Sequence, residues 1–155
     1  MKKFKLLLVD DEEEFVRALA ERLKMRDLES DTVFDGDQAL SFVDEKEPDV
    51  MVLDLKMPGI DGIEVLRRVR KTYPNLQVII LTGHGTEKDE ERARRLGAFD
   101  YMRKPVDIDD LVGRVKKAYK RKLDDLSVAA TFAEAGEFDT AREIMNEDDD
   151  GSGKR

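Results

Sequence analysis

The chain has 155 residues, enough for one domain with a short appendage at the usual ~100 to 200 residues per domain. Leu, Ile, Val and Phe account for 42 of them, well above the ~20 per cent below which a charged chain reads as disordered, so a folded core is expected. With 28 basic and 36 acidic residues the net charge is −8, which disfavours nonspecific nucleic-acid binding; the lack of cysteine excludes disulfides and Cys-ligated metals, and the single histidine, His84, excludes a multi-histidine site.

The chain opens with three lysines and an apolar run, Leu6 to Val9, which five acids, Asp10 to Glu14, cut short. The run is too short for a signal peptide and no stretch approaches the ~18 apolar residues of a membrane span, so Lys5 to Val9 is expected to be a buried strand of a cytoplasmic protein with no membrane contact. An amphipathic helix follows from about Asp11 to Arg26, with Phe15, Val16, Leu19 and Leu23 on its apolar face and Glu12 to Glu14 at its positive end. Further strands are predicted at Ser30 to Phe34, Val50 to Leu55, Gln77 to Leu81 and Phe99 to Met102, separated by helices at Asp35 to Glu45, Asp61 to Thr72 and Thr86 to Leu96. The runs LLLV, VMVL and VIIL are apolar without alternation, as central strands of a parallel sheet buried on both faces require. The helix at Thr86 offers only Ala93 and Leu96 to a core. A fifth helix starts at Asp107 as its cap, with Ile108, Leu111, Val112, Val115 and Tyr119 as its buried stripe.

The main domain is expected to span 1–122. A helical extension, 123–146, is expected as a hairpin of Leu126 to Ala135 and Phe138 to Met145 about Gly136, its spacing similar to part of a tetratricopeptide repeat. The polar residues 147–155 are expected to form a disordered tail. The basic run from Arg114 to Lys122 reads as a solvated helix face.

In an open parallel sheet, ligands bind beyond the carboxyl ends of the strands. Collected there are Asp10 and Asp11 after the first strand, Asp54 at the end of the third, Thr82 after the fourth and Lys104 after the fifth. Two carboxylates ~4 Å apart repel by roughly 4 kcal/mol at an effective dielectric of 20, so positive charge must sit among them. Lys104 supplies one charge, and Mg²⁺, which takes few protein carboxylates plus water and phosphate oxygens, fits as the other. Such a group is equipped for phosphoryl transfer, with Asp54 as nucleophile, Lys104 neutralising charge and Thr82 donating a hydrogen bond.

The acidic pair Asp10-Asp11, the run Asp54-Leu55-Lys56-Met57-Pro58-Gly59-Ile60-Asp61-Gly62, the pair Thr82-Gly83 and the segment Phe99-Asp100-Tyr101-Met102-Arg103-Lys104-Pro105 together resemble the receiver domain of two-component response regulators, across about Lys5 to Arg121. The resemblance implies an α/β, flavodoxin-like, doubly wound sheet of five parallel strands in order 2-1-3-4-5 with five helices. It implies that Asp54 accepts a phosphoryl group from a histidine kinase, a phosphotransfer protein or a small phosphodonor. Mg²⁺ would be held by Asp11, Asp54 and the backbone carbonyl of Lys56, with Asp10 acting through water. Thr82 and Tyr101 would form the switch, the hydroxyl moving to the phosphoryl group as the ring turns inward, and Lys104-Pro105 would be cis.

The expected output is a changed protein–protein surface, serving a downstream protein target and allowing a homodimer, with no DNA binding because the residues after the fifth helix are too few for a DNA reader. Only self-phosphorylation and its reversal are expected as chemistry. Two alternatives stand beside this: a phosphorelay intermediate or phosphate sink without output, and a metal-dependent phosphohydrolase working through an aspartyl phosphate. The latter usually wants an acid two residues after its nucleophile, where this chain has Lys56. His84, two residues beyond Thr82, is read as an exposed loop residue without a catalytic role.

Overall fold

The computed structural model describes residues 3–134, with side chains through residue 128. Five strands and five helices alternate along them: β1 (Leu6–Val9), α1 (Glu13–Lys24), β2 (Asp31–Val33), α2 (Gly36–Glu45), β3 (Val50–Leu53), α3 (Gly62–Thr72), β4 (Gln77–Thr82), α4 (Glu87–Arg95), β5 (Asp100–Arg103) and α5 (Ile108–Glu134). All strand pairs are parallel, in the order β2-β1-β3-β4-β5, as expected.

The period-2 geometry of the strands divides their apolar side chains between two layers. Leu7, Val9, Met51, Leu53, Val78 and Ile80 face one way, onto Ala39 and Val43 of α2, Val65, Leu66 and Val69 of α3, and Ala93 of α4. Leu6, Leu8, Val50, Val52, Ile79 and Leu81 face the other way, onto Val16, Leu19 and Leu23 of α1 and Ile108, Leu111, Val115 and Ala118 of α5. Burying both faces is why β1, β3 and β4 carry unbroken apolar runs. Each fully buried Leu, Ile or Val contributes ~1.5 to 3 kcal/mol, so the sheet and its two helical layers dominate the stability.

Helix starts follow side-chain caps. The carboxylates of Asp35, Asp61 and Asp107 each accept from the amide three residues on, at 2.8, 3.0 and 2.9 Å. Thr86 and Asp89 form a reciprocal capping box at 3.1 and 2.9 Å. That box matters because Ala93 is the sole buried residue of α4, so polar contacts carry much of its anchoring.

The described part of the chain departs from the sequence expectation at α5. No break occurs near Lys122, and the helix continues to Glu134, because no Gly or Pro interrupts the residues between Gly113 and Gly136. Leu126 therefore continues α5 instead of opening a separate helix; Phe138 to Met145 and the tail lie outside the described residues. The basic run is not one solvated face either. Lys122 falls on the buried stripe, four residues after Ala118, and its ammonium pairs with Asp49 at 2.5 Å, both side chains being buried. Arg114 pairs with Asp100 on β5 and Asp110 on its own helix, at 2.9 and 3.0 Å. No helix among the described residues is long and apolar enough to cross a membrane.

Candidate functional site

The sheet order reverses between β1 and β3, so the loops leaving these neighbours diverge to opposite layers and open a crevice at the carboxyl edge. Asp10 leaves β1 into this crevice and Asp54 leaves β3 beside it, the Asp54 amide donating to the Val9 carbonyl at 3.0 Å. The chain after Asp54 turns back at once. The Gly62 amide donates to the Leu55 carbonyl at 2.8 Å, and a Cβ on Gly62 would overlap the Asp54 carbonyl, so only glycine lets α3 start this close to the acid. Thr82 ends β4 and Lys104 follows β5, its amide donating to the Thr82 carbonyl at 3.0 Å. The Lys104-Pro105 bond is cis, as expected.

Carboxylate oxygens of Asp10, Glu12 and Asp54 lie within 4.8 Å of one another. The Lys104 ammonium sits among them, 2.7 Å from Asp10, 2.6 Å from Glu12 and 4.0 Å from Asp54, and 4.3 Å from the centre of the Phe15 ring. Asp10, Asp54 and Thr82 are buried. Burial pushes the Asp54 carboxyl above the usual carboxylate range; the hydrogen bond from Thr82 opposes this and the nearby Asp10 charge adds to it. Burial likewise raises Asp10, against the pull of Lys104. Glu12 is lowered by its bond to Lys104. Burial works against the Lys104 ammonium, but Asp10 and Glu12 outweigh it and hold the lysine charged.

Asp54 Oδ1 is buried with no hydrogen-bond partner. An acceptor in that condition, in a pocket of three carboxylates served by one lysine, is a fit for a hard divalent cation, whose preferred ligands are oxygens.

The sequence-predicted residues thus meet: Asp10, Asp54, Thr82 and Lys104 share one pocket. Asp11, expected as a direct metal ligand, is half-buried but is not a member of the carboxylate group; Glu12 is. Sequence reasoning assigned Glu12 to the helix dipole alone. Its signal was the unbroken acid run across the turn from β1 into α1, where Asp10 accepts the Glu12 amide at 2.9 Å. Tyr101 lies inward, with its hydroxyl buried and unpartnered. The Lys56 side chain is exposed and reaches Asp89 at the start of α4, at 3.4 Å. His84 is exposed, its amide donating to the Thr82 hydroxyl at 3.3 Å.

Fold and site define a class: a doubly wound α/β domain with a carboxylate–lysine pocket at the switch point of its sheet. The model of the response regulator receiver domain matches residues 6–116, and the chain belongs to that family, the receivers of two-component systems. It is 35% identical to a response regulator receiver domain protein from Clostridium thermocellum, covering 77% of this chain and 97% of that one with a TM-score of 0.73. It is 32% identical to the receiver domain of NtrX from Brucella abortus, covering 74% of this chain and 98% of that one with a TM-score of 0.70. A CheY-like receiver domain protein from Methanospirillum hungatei JF-1 shares the fold at 22% identity, with a TM-score of 0.76 over 80% of this chain and 99% of that one. Receiver domains are signalling switches, and the acid cluster here is consistent with phosphorylation and Mg²⁺ binding.

Proposed function

We propose that the protein is a phosphorylation-dependent switch in which Asp54 takes a phosphoryl group from a histidine kinase, a phosphotransfer protein or a small phosphodonor, and that the change is read by a downstream protein. The observation that carries this is the orphaned, buried Asp54 Oδ1 in a pocket where Asp10, Glu12 and Lys104 converge. An Asp54 oxygen attacks phosphorus, the bond from phosphorus to the donor nitrogen or oxygen breaks with its electron pair leaving on the donor, and an acyl phosphate remains. Lys104, 4.0 Å from Asp54, is within reach of the phosphoryl oxygens and neutralises their charge. Thr82, whose hydroxyl favours the charged Asp54 carboxylate, is positioned to donate to one of them. Asp10, Glu12 and Asp54 would hold Mg²⁺, with Asp11 and the Lys56 carbonyl as the further ligands expected from the sequence. When bound, the ion offsets carboxylate repulsion and the charge of the incoming group.

The inward Tyr101 ring and the Thr82 hydroxyl at Asp54 are the two halves of one arrangement, which a phosphoryl group selects by offering Thr82 and Lys104 a compact anion. Incubation with acetyl phosphate and Mg²⁺ followed by intact-mass measurement tests the reading. The expected result is one added phosphate on the wild type and none on Asp54→Ala; equal labelling of both proteins refutes it.

A further inference from the structure

Tyr101 sits where its hydroxyl is buried without a hydrogen-bond partner, a position that outward rotation into water would relieve. Something else must hold it in. Two residues of the same rim do so. Gly85, three residues past Thr82, leaves the space the hydroxyl occupies: a Cβ there would overlap the Tyr101 oxygen and crowd the Thr82 methyl at 2.9 Å. Arg103, two residues along β5 and therefore on the same side of the strand, lays its guanidinium 5.7 Å from the Tyr101 ring centre. The same guanidinium donates to the Gly85 carbonyl at 2.8 Å, closing the loop after β4 over the ring, and lies 3.9 Å from Glu90 on α4.

We propose that Arg103 and Gly85 are positioning residues of the switch: Arg103 clamps the Gly85 loop across Tyr101, Gly85 provides the vacancy, and together they bias the unphosphorylated protein toward the arrangement that receives a phosphoryl group. The inference rests on the receiver reading above and extends it to two residues that touch neither Asp54 nor the carboxylate group. Whatever raises the population of the inward ring in the free protein raises, in the same proportion, the affinity for an anion that selects that arrangement.

The test uses the full chain carrying fluorotyrosine, with Tyr101→Phe to assign the Tyr101 resonance, and beryllofluoride with Mg²⁺ as the phosphoryl mimic. Arg103→Met is expected to move the Tyr101 resonance of the free protein toward that of a solvent-exposed tyrosine and to weaken beryllofluoride binding about threefold to tenfold, the scale of one exposed cation–π contact or one hydrogen bond. Arg103→Lys, which keeps a cation over the ring, recovers part of both effects. Gly85→Ala moves the resonance further and weakens binding more than Arg103→Met. A Tyr101 resonance unchanged in both Arg103→Met and Gly85→Ala overturns the proposal, as does a displaced ring with undiminished beryllofluoride affinity. Failure of the wild type to bind beryllofluoride refutes the receiver reading instead, while the ring resonance of the free protein still decides the clamp.

Discussion

Asp54 suits the proposed phosphoryl-acceptor role because of where its two oxygens are. One lies 4.0 Å from the Lys104 ammonium, the other is enclosed without a partner, and the acid is held in a pocket that disfavours its charge. A carboxyl raised on folding withholds stability from the native state as pH increases. The penalty is absent below the ordinary carboxylate pKa of 3.8, grows as pH climbs from there through the raised folded value, and is constant above it. Asp54→Asn removes the charge and keeps the shape. It is therefore expected to raise the urea midpoint of the metal-free protein at pH 7 and to lose that advantage near pH 3. Equal or lower stability of the variant at pH 7 contradicts the burial argument. Asp54, Asp10, Thr82 and Lys104 were legible in the sequence because each sits at a strand end, and strand ends are readable from apolar runs. Glu12 was not, since its role depends on the rotamer by which it reaches Lys104 from the N-cap position of α1. Arg103 and Gly85 were not, since their contact joins the end of β5 to the loop after β4, which only the pairing of β4 with β5 brings together.

At the scale of elements, α5 is fixed midway along its length by the Lys122–Asp49 pair. Asp49 precedes β3, at the edge of the sheet opposite the acid pocket, and its second oxygen accepts from the Lys5 amide at 2.8 Å, so one carboxylate joins α5 to the starts of β1 and β3. Breaking a buried pair leaves a charge without its partner, at a cost of about 3 to 5 kcal/mol, whereas replacing both members by apolar residues costs far less. Asp49→Ala is expected to lower unfolding stability by that amount in a urea titration, and Asp49→Leu with Lys122→Met to recover most of it. A single-variant cost below about 1 kcal/mol contradicts the pairing. The pair was hidden in the sequence because Lys122 closes a run of bases that looks like a solvated face; only the 3- and 4-residue rhythm Leu111, Val115, Ala118, Lys122 marks it as inward. Helix starts, by contrast, were nearly all readable, because Asp35, Asp61, Thr86 and Asp107 cap locally.

For the whole molecule, alternation of apolar strands with amphipathic helices was enough to specify a parallel sheet with helices on both faces, since strand period and helix period are set within each element. The strand order came from resemblance, because nothing local to β2 says that it pairs outside β1. The architecture brings four distant strand ends to one rim, so residues 10, 54, 82 and 104 act as a unit although no two share an element. The chemistry proposed for that unit is an acyl phosphate on one aspartate, and borohydride reports it directly by reducing such a phosphate to the alcohol, which turns the aspartate into homoserine. Treatment of the protein with acetyl phosphate and Mg²⁺, then borohydride, then peptide mapping is predicted to yield homoserine at position 54 and at no other aspartate. Homoserine at Asp10 or Asp11, or unmodified Asp54 in a protein that has gained phosphate, would contradict the account.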